Sequence, residues 1–362
     1  MPILTNKFDA FGLDIGDRSI KAAHITKNSA NFCLKSFGAT IVPADVLNKG
    51  VISNTKELSN IINNLLKSCL PKPIQTKYVH ACLPETHTFI KMLTIKKIDE
   101  KEIAAHIRDI LPNHIPLATD ESYIDWQIIE SGTPPQSPPY QGGEAEGVLN
   151  VLVGAVPKAI ADGYTEMLLN ANLIPVSLQI EAEAILRALK PENNGKTDTE
   201  CFAIVDIGAT RSSFILVDKG TIQFAVSLPT AGAEITQIIA QKLNISIQEA
   251  EKAKKMFGLD KKKCDGSVAS ILDQEISELA QNIQKNSNFY IEHFKDAKPI
   301  SYIILCGGGA NLINLKESLK QKLPNLTIQF GYPIINFEKT TEEMQDYSLS
   351  FTTAIGLGLT NV

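Results

Sequence analysis

The sequence predicts an α/β protein of two duplicated lobes, and three observations carry that reading. A strand–turn–strand unit built on Asp-Ile-Gly occurs twice, about half the chain apart. Strand-like runs alternate with amphipathic helical stripes, the pattern of α/β layers. The 362 residues suffice for two or more lobes with real cores, at ~100–200 residues per domain. Charge narrows the function classes: 35 basic and 40 acidic side chains leave a formal net charge of −5, so no global basic field gathers nucleic acid. No apolar run reaches the ~18–20 residues that cross a bilayer. The opening MPILTNKFDA lacks the basic-then-apolar profile of a signal peptide. The cysteines (Cys33, Cys69, Cys82, Cys201, Cys264 and Cys306) include no CxxC pair, and most have apolar or small neighbours. Buried reduced thiols are therefore expected rather than disulfides or a thiolate metal site. The expectation is a soluble cytoplasmic protein.

The first unit runs Phe11-Gly-Leu-Asp14-Ile-Gly16, turns through Asp17-Arg18-Ser19 and resumes at Ile20–Ile25. An apolar strand, a turn whose glycine can take a positive φ, and a second strand make hairpin chemistry. After Asn54, the spacing of Leu58, Ile61, Ile62, Leu65, Leu66 and Cys69 predicts a helix with one apolar stripe. Tyr78–Leu83 reads as a strand. Asp99 with Glu102 resembles a capping box, opening a helix through Ile103, Ile107, Ile110 and Leu111 that Pro112 ends. Strand-like runs follow at Tyr123–Ile129 and Val148–Val156. Between them, the proline- and glycine-rich stretch 131–147 reads as a long mobile hairpin loop, not a domain boundary. Helical stripes at Ile160–Ala171 and Glu181–Leu189 flank a strand at Pro175–Ile180, and the polar stretch Pro191–Glu200 is the expected crossing between lobes. The second unit runs Phe202-Ala-Ile-Val-Asp206-Ile-Gly208, turns through Ala209-Thr210-Arg211-Ser212 and resumes at Phe214–Val217. Helical stripes at Ile235–Leu243 and Ile271–Phe294, a strand at Tyr302–Cys306 and a helix over about Asn314–Leu323 complete the chain.

A tight turn of backbone N–H groups after a strand can cradle phosphates, and a carboxylate at its base can hold Mg²⁺ through water. Asp14 and Asp206 sit at such bases, with hydroxyls following at Ser19, Thr210, Ser212 and Ser213. One Asp-x-Gly is an ordinary β-turn. Two strand-flanked copies, one opening each half, are far more specific. A third element, Gly307-Gly308-Gly309-Ala310-Asn311, follows a strand, and its glycines permit close approach of a flat or charged ligand to the backbone. Neither the dinucleotide fingerprint with its spaced acidic residue nor GxxxxGK[ST] is present, which excludes Rossmann and P-loop readings. The six histidines lack metal-ligand spacing, and Lys261-Lys262-Lys263 reads as a solvated loop. Alternation along Ile20–Ile25 leaves Lys21 open to the turn or to solvent. Glu251 and Lys254 by themselves read as a solvated pair on a helix.

Together, Asp14-Ile-Gly16, Asp206-Ile-Gly208 and Gly307–Gly309 resemble the phosphate-1, phosphate-2 and adenosine motifs of the actin-like ATPase superfamily. Within it the chain is most similar to the type IV pilus assembly PilM family. Gly12, Asp14, Gly16, Ser19 and Lys21 match that family's opening segment. Ala81-Cys-Leu-Pro84, Ile115-Pro116, Val153–Lys158, Gln179-Ile-Glu181, Ala250-Glu251 with Lys254, and the closing Phe351–Gly358 continue the resemblance in order.

The resemblance implies an actin-like, ribonuclease-H-like duplicated α/β fold. Its first lobe would span 1–195 and carry a small inserted subdomain at about 79–173. Its second lobe would span 196–362, with a C-terminal helix, about 347–359, packing back on the first. It implies ATP and Mg²⁺ as cofactors. Gly16, Asp17, Arg18, Ser19 and Lys21, with Gly208, Ala209, Thr210 and Arg211, would meet the phosphates. Gly232, Glu251, Lys254, Gly307, Gly308, Gly309, Ala310 and Asn311 would meet the adenosine, and Asp14 and Asp206 the metal through water. It further implies a cytoplasmic scaffold, peripheral at the inner membrane, that docks the cytoplasmic N-terminal peptide of a PilN-like single-pass protein. A pilus motor ATPase and a second copy of the chain would be further partners, with neither nucleic-acid binding nor membrane insertion.

Two alternatives belong to the same superfamily. An FtsA-like cell-division protein would need an amphipathic tail beyond Val362. A sugar or small-carboxylate kinase would need an acidic base beside a polar pocket. Asp17, Arg18, Arg211 and Ala231 depart from the family pattern. With charges crowding the phosphates and no general base in view, hydrolysis is expected to be slow or absent.

Overall fold

The computed structural model of the chain describes residues 8–28, 31–129, 147–189, 200–294, 296–333, 337 and 348–360. The expected hairpin loop lies outside them save for Gly147, and the expected crossing between lobes save for Glu200.

Strands β1 (Phe11–Ile15), β2 (Ser19–Asn28) and β3 (Asn31–Ile41) form an antiparallel meander. All five positions of β1 are buried, as in a strand covered on both faces. After a small hairpin of β4 (Leu47–Asn48) and β5 (Val51–Ile52) comes α1 (Thr55–Ser68). Asn54 caps it by accepting from Glu57 N–H at 3.1 Å, and Leu58, Ile62, Leu65 and Leu66 are its buried stripe. Strand β6 (Tyr78–Leu83) then runs parallel to β1.

A second parallel partner needs a crossover, and an insertion sits within it: β7 (Phe89–Lys96), α2 (Glu100–Ile110), β8 (Ser122–Ile129) and β9 (Val148–Pro157). Helix α3 (Lys158–Asn170) returns the chain to β10 (Ile174–Ile180), parallel to β6, and α4 (Glu181–Leu189) follows. The result is a five-stranded sheet in the order β10-β6-β1-β2-β3. Asp99 caps α2 through Lys101 N–H at 3.1 Å, not through the Glu102 position. Of the stretch 79–173, the strands β7 to β9 and α2 share their own core of Leu93, Ile103, Ile107, Val151 and Val153. By contrast, β6 and α3 pack into the core of the five-stranded sheet through Val79, Ala81, Tyr164 and Met167.

The second half repeats the plan. Strands β11 (Cys201–Ile207), β12 (Ser212–Asp218) and β13 (Thr221–Leu228) make a meander, followed by α5 (Gly232–Leu243), α6 (Ile247–Phe257) and α7 (Ser267–His293). Then β14 (Tyr302–Cys306) runs parallel to β11, and β15 (Thr327–Phe330), after α8 (Leu315–Lys322), runs parallel to β14. The insertion joins this sheet where Phe224 of β13 opposes Lys91 of β7, giving the order β15-β14-β11-β12-β13-β7-β9-β8. One face is covered by α5, α7 and α8. Helix α4 covers the other, with Ala182 and Ile185 against Phe202, Ile204 and Ile215.

A last helix, α9 (Thr352–Gly358), lies on the first sheet, where Phe351, Ala354 and Ile355 meet Ala23, Ile25 and Phe37. Glycine allows that approach. A Cβ on Gly12 would stand 2.2 Å from Ala354 O, and one on Gly356 1.8 Å from Ala184 O. Among the described residues, no helix is long and apolar enough to cross a membrane.

Candidate functional site

The two Asp-Ile-Gly turns line one cleft of about 730 Å³. Each turn closes the same way, with Gly16 N–H donating to Ser19 O at 3.1 Å and Gly208 N–H to Arg211 O at 2.9 Å. Registers match as well: Asp14 opposes Lys21, and Asp206 opposes Ser213. Near the end of each parallel neighbour strand stands a cysteine whose thiol reaches the aspartate. Cys82 Sγ lies 3.7 Å from Asp14 Oδ1, and Cys306 Sγ 3.5 Å from Asp206 Oδ1. Burial first, then the adjacent aspartate charges, push both thiols well above their usual range, so they stay protonated donors.

Acidic groups crowd the floor. Lys21 Nζ donates to Asp14 Oδ2 at 2.9 Å. Burial pulls the Lys21 pKa down, but the charge and hydrogen bond of Asp14, with the charges of Asp206 and Glu181, outweigh it and leave the pKa raised. Burial and the Asp14 charge push Asp206 up to about 6, against the pull of Lys21. Glu181 rises well above the carboxylate range through burial and the charges of Asp14, Asp206 and Glu85. Glu85, buried behind the cleft wall, is pushed up to about 7 by burial, opposed by the hydrogen bond from Ser213 Oγ and by Arg211.

Asp17 joins the two turns directly. Its Oδ1 accepts from Gly50 N–H at 2.8 Å and its Oδ2 from the Thr210 hydroxyl at 3.0 Å, with Arg211 Nη2 at 3.8 Å. Gly16, Arg18, Ser19, Lys21, Gly208, Ala209 and Arg211 also line the cleft; Arg18 is exposed. Two buried atoms here, Glu85 Oε1 and Arg211 Nη1, have no hydrogen-bond partner among the described residues.

Of the residues expected at an adenosine, Gly307 and Gly308 line the cleft. Gly307 has φ +82°, and a Cβ there would stand 2.3 Å from Asp206 Oδ1, so only glycine fits. Gly309 packs on Ile207, Ala310 lies in the second-half core, and Asn311 Nδ2 donates to Gly308 O at 3.4 Å. Gly232, Glu251 and Lys254 meet one another and do not line the cleft. Lys254 Nζ donates to Gly232 O and to Thr236 Oγ1, each at 2.7 Å, and pairs with Glu251 Oε2 at 2.7 Å. Burial would raise Glu251, yet hydrogen bonds from Lys254 and Thr236 hold it down at about 2. Lys255, the next residue, lines the cleft.

Sequence reasoning missed Glu85, Glu181, Cys82, Cys306 and Gly50 as site residues. A usable signal existed for the two glutamates. Each follows a strand of the parallel set, β6 or β10, and open α/β sheets place their sites beyond the carboxyl ends of such strands.

The donor set suits a polyphosphate. Lys21, the unpartnered Arg211 N–H and the N–H groups of two turns converge on one cleft. Asp14 of the first sheet and Asp206 of the second suit a divalent ion held through water. No group of three or more His, Cys, Asp or Glu side chains among the described residues is placed to hold an ion directly.

Comparison with known proteins agrees on the fold. A PilM-PilN type IV pilus biogenesis complex matches with TM-score 0.81 at 24% identity, covering 98% of each chain. The ethanolamine utilization protein EutJ from Carboxydothermus hydrogenoformans matches at 0.57 and 16%, covering 97% of this chain and 89% of that one. MreB 5 of Spiroplasma citri bound to AMPPNP matches at 0.55 and 13%, covering 95% and 93%. These likenesses establish the actin-like α/β fold. The cell division protein FtsA of Staphylococcus epidermidis is 28% identical over 134 residues, which span 32% of this chain but only 29% of that relative. A family model described as type IV pilus assembly protein PilM matches residues 12–362. From its first Asp-Ile-Gly turn to its last residue, the chain belongs to the PilM family of type IV pilus assembly proteins.

Proposed function

We propose that this chain is a nucleotide-binding scaffold of the type IV pilus inner-membrane assembly complex. In this reading it docks the cytoplasmic N-terminal peptide of a PilN-like single-pass partner and sits in the cytoplasm, held at the membrane through that partner. Family membership over residues 12–362 is the observation that carries the reading.

In the cleft, Asp14 and Asp206 hold Mg²⁺ through water, while Lys21, Arg211 and the N–H groups of the two turns hold the phosphates. Gly307 and Gly308 admit the nucleoside. Mg²⁺ would supply charge opposite to the carboxylates of the floor, and a ligand gripped by both turns at once would favour closure of the two halves around it. Closure would then reshape the surface beside the β7–β9 insertion, where an extended peptide would gain main-chain contacts that fix its direction. Net charge −5 disfavours direct adsorption to anionic lipid, so a protein partner is the more favourable tether.

The test is fluorescence anisotropy with the N-terminal cytoplasmic peptide of a PilN-like single-pass protein from the same genome. Binding with Kd on the order of micromolar is expected, shifted by Mg²⁺–ATP in the wild type and unshifted in Asp206→Ala. Absence of binding by the peptide and by a fusion carrying it, with and without ATP, overturns the reading.

A further inference from the structure

We propose that Asp17 makes the cleft prefer a nucleoside diphosphate over the corresponding triphosphate. The inference rests on the nucleotide-binding reading above and adds which phosphate chain the site accepts. The two turns that would hold phosphates approach each other across the cleft, and the side chain bridging them is Asp17. Its carboxylate takes what an outer phosphate would take. Gly50 offers a backbone N–H at 2.8 Å, Thr210 a hydroxyl at 3.0 Å and Arg211 a guanidinium at 3.8 Å. A backbone N–H, a hydroxyl and a guanidinium are the groups with which proteins recognise anions.

The bridge is also fixed in place. Asp17 is 6% exposed, so its charge is poorly screened by water. Gly50 has φ +77°, and a Cβ there would stand 2.4 Å from Pro84 Cβ; the N–H that holds Asp17 thus belongs to a clamped segment of backbone.

The phosphates of a diphosphate would meet other groups: Lys21, the turn N–H groups not used in closing the turns, and the Arg211 N–H that still lacks a partner. On this reading the third phosphate of a triphosphate falls between the turns, where Asp17 already spans the gap. There it either displaces Asp17 from Thr210, leaving a buried carboxylate short of donors, or stands against its negative charge. A diphosphate does neither.

Titration calorimetry of the full chain with ADP and with ATP, each in excess Mg²⁺, tests this. The wild type is expected to bind ADP about tenfold or more tighter than ATP, the scale of one unscreened like-charge contact in a partly buried site. Asp17→Asn keeps the shape and an acceptor for Gly50 N–H while removing the charge. It should narrow the gap to within about threefold, chiefly through tighter ATP binding. Thr210→Val removes the tether but leaves the charge, so its preference for ADP should persist. If the wild type binds ATP as tightly as ADP, or if Asp17→Asn leaves the ratio unchanged, the inference is wrong. If neither nucleotide binds the wild type, the nucleotide-binding reading itself fails and this inference falls with it.

Discussion

Glu85 is one of three buried carboxyls, with Asp206 and Glu181, through which pH should act on this fold. In the fold, burial pushes Glu85 up to about 7 and Asp206 up to about 6. Unfolded, both fall back to the ordinary range near ~4. Across that window the folded chain binds more protons than the unfolded one, so unfolding free energy falls as pH rises. Their stabilising contribution is complete below the ordinary carboxylate pKa and gone once pH has passed the folded values. Glu251, held at about 2, acts in the opposite sense, contributing above the ordinary range and losing its effect as pH falls toward 2. Thermal denaturation should therefore show a lower Tm at about pH 8 than at about pH 5, by on the order of 2–5 °C, with Glu85→Gln flattening the difference. An unchanged slope in that variant would contradict the assignment. Asp14 and Asp206 were legible in the sequence because Asp-Ile-Gly is a local turn code. Glu85 and Glu181 were harder to read: only their places just after β6 and β10 mark them, and it is the long-range pairing of β6 on β1 and of β10 on β6 that brings those strand ends beside Asp14.

Among the elements, α9 has the tightest fit. Gly356 lies against the backbone of α4, where an added Cβ would stand 1.8 Å from Ala184 O and 2.5 Å from its carbonyl carbon. Backbone atoms on both sides leave no flexible side chain to yield, so Gly356→Ala should cost about 1–3 kcal/mol, the usual range for overpacking. Urea denaturation measures this, and a loss under ~0.5 kcal/mol, that of an ordinary surface substitution, would show that the helix can shift. Helices α1, α3, α4 and α7 were readable from apolar stripes, since that periodicity is local. The start of α5 was not. The stripe begins at Ile235, yet the helix begins at Gly232, because Gly232 and Ala233 N–H groups reach Gly208 O at 3.1 Å and Ala209 O at 2.7 Å on the distant turn. Strand β15 was missed for its four residues, too few for alternation to register. Strand β3 was missed because its sides do not alternate: three half-buried positions run together and Ser36 and Phe37 are both buried.

At the scale of the molecule, duplication was legible and the joining of the insertion to the second sheet was not. Two copies of one motif announce two sheets, but a sheet that continues through a single opposed pair, Phe224 with Lys91, has no sequence signature. The other long-range closure, α9 against the first sheet, makes a testable difference between the halves. A chain truncated after Pro333 should expose Ala23, Ile25 and Phe37, which α9 otherwise covers. Limited proteolysis is expected to cut such a chain within 8–83 well before 200–330, and equal resistance of the two would refute this dependence. During synthesis the same geometry sets a schedule. Helix α9 ends at Gly358, whereas the strands it seals lie within the first 41 residues. At ~5–20 residues per second, the ribosome releases those strands tens of seconds before their cover exists. The nascent N-terminal sheet must wait that long with an apolar face open, which makes it a natural client for a holdase chaperone.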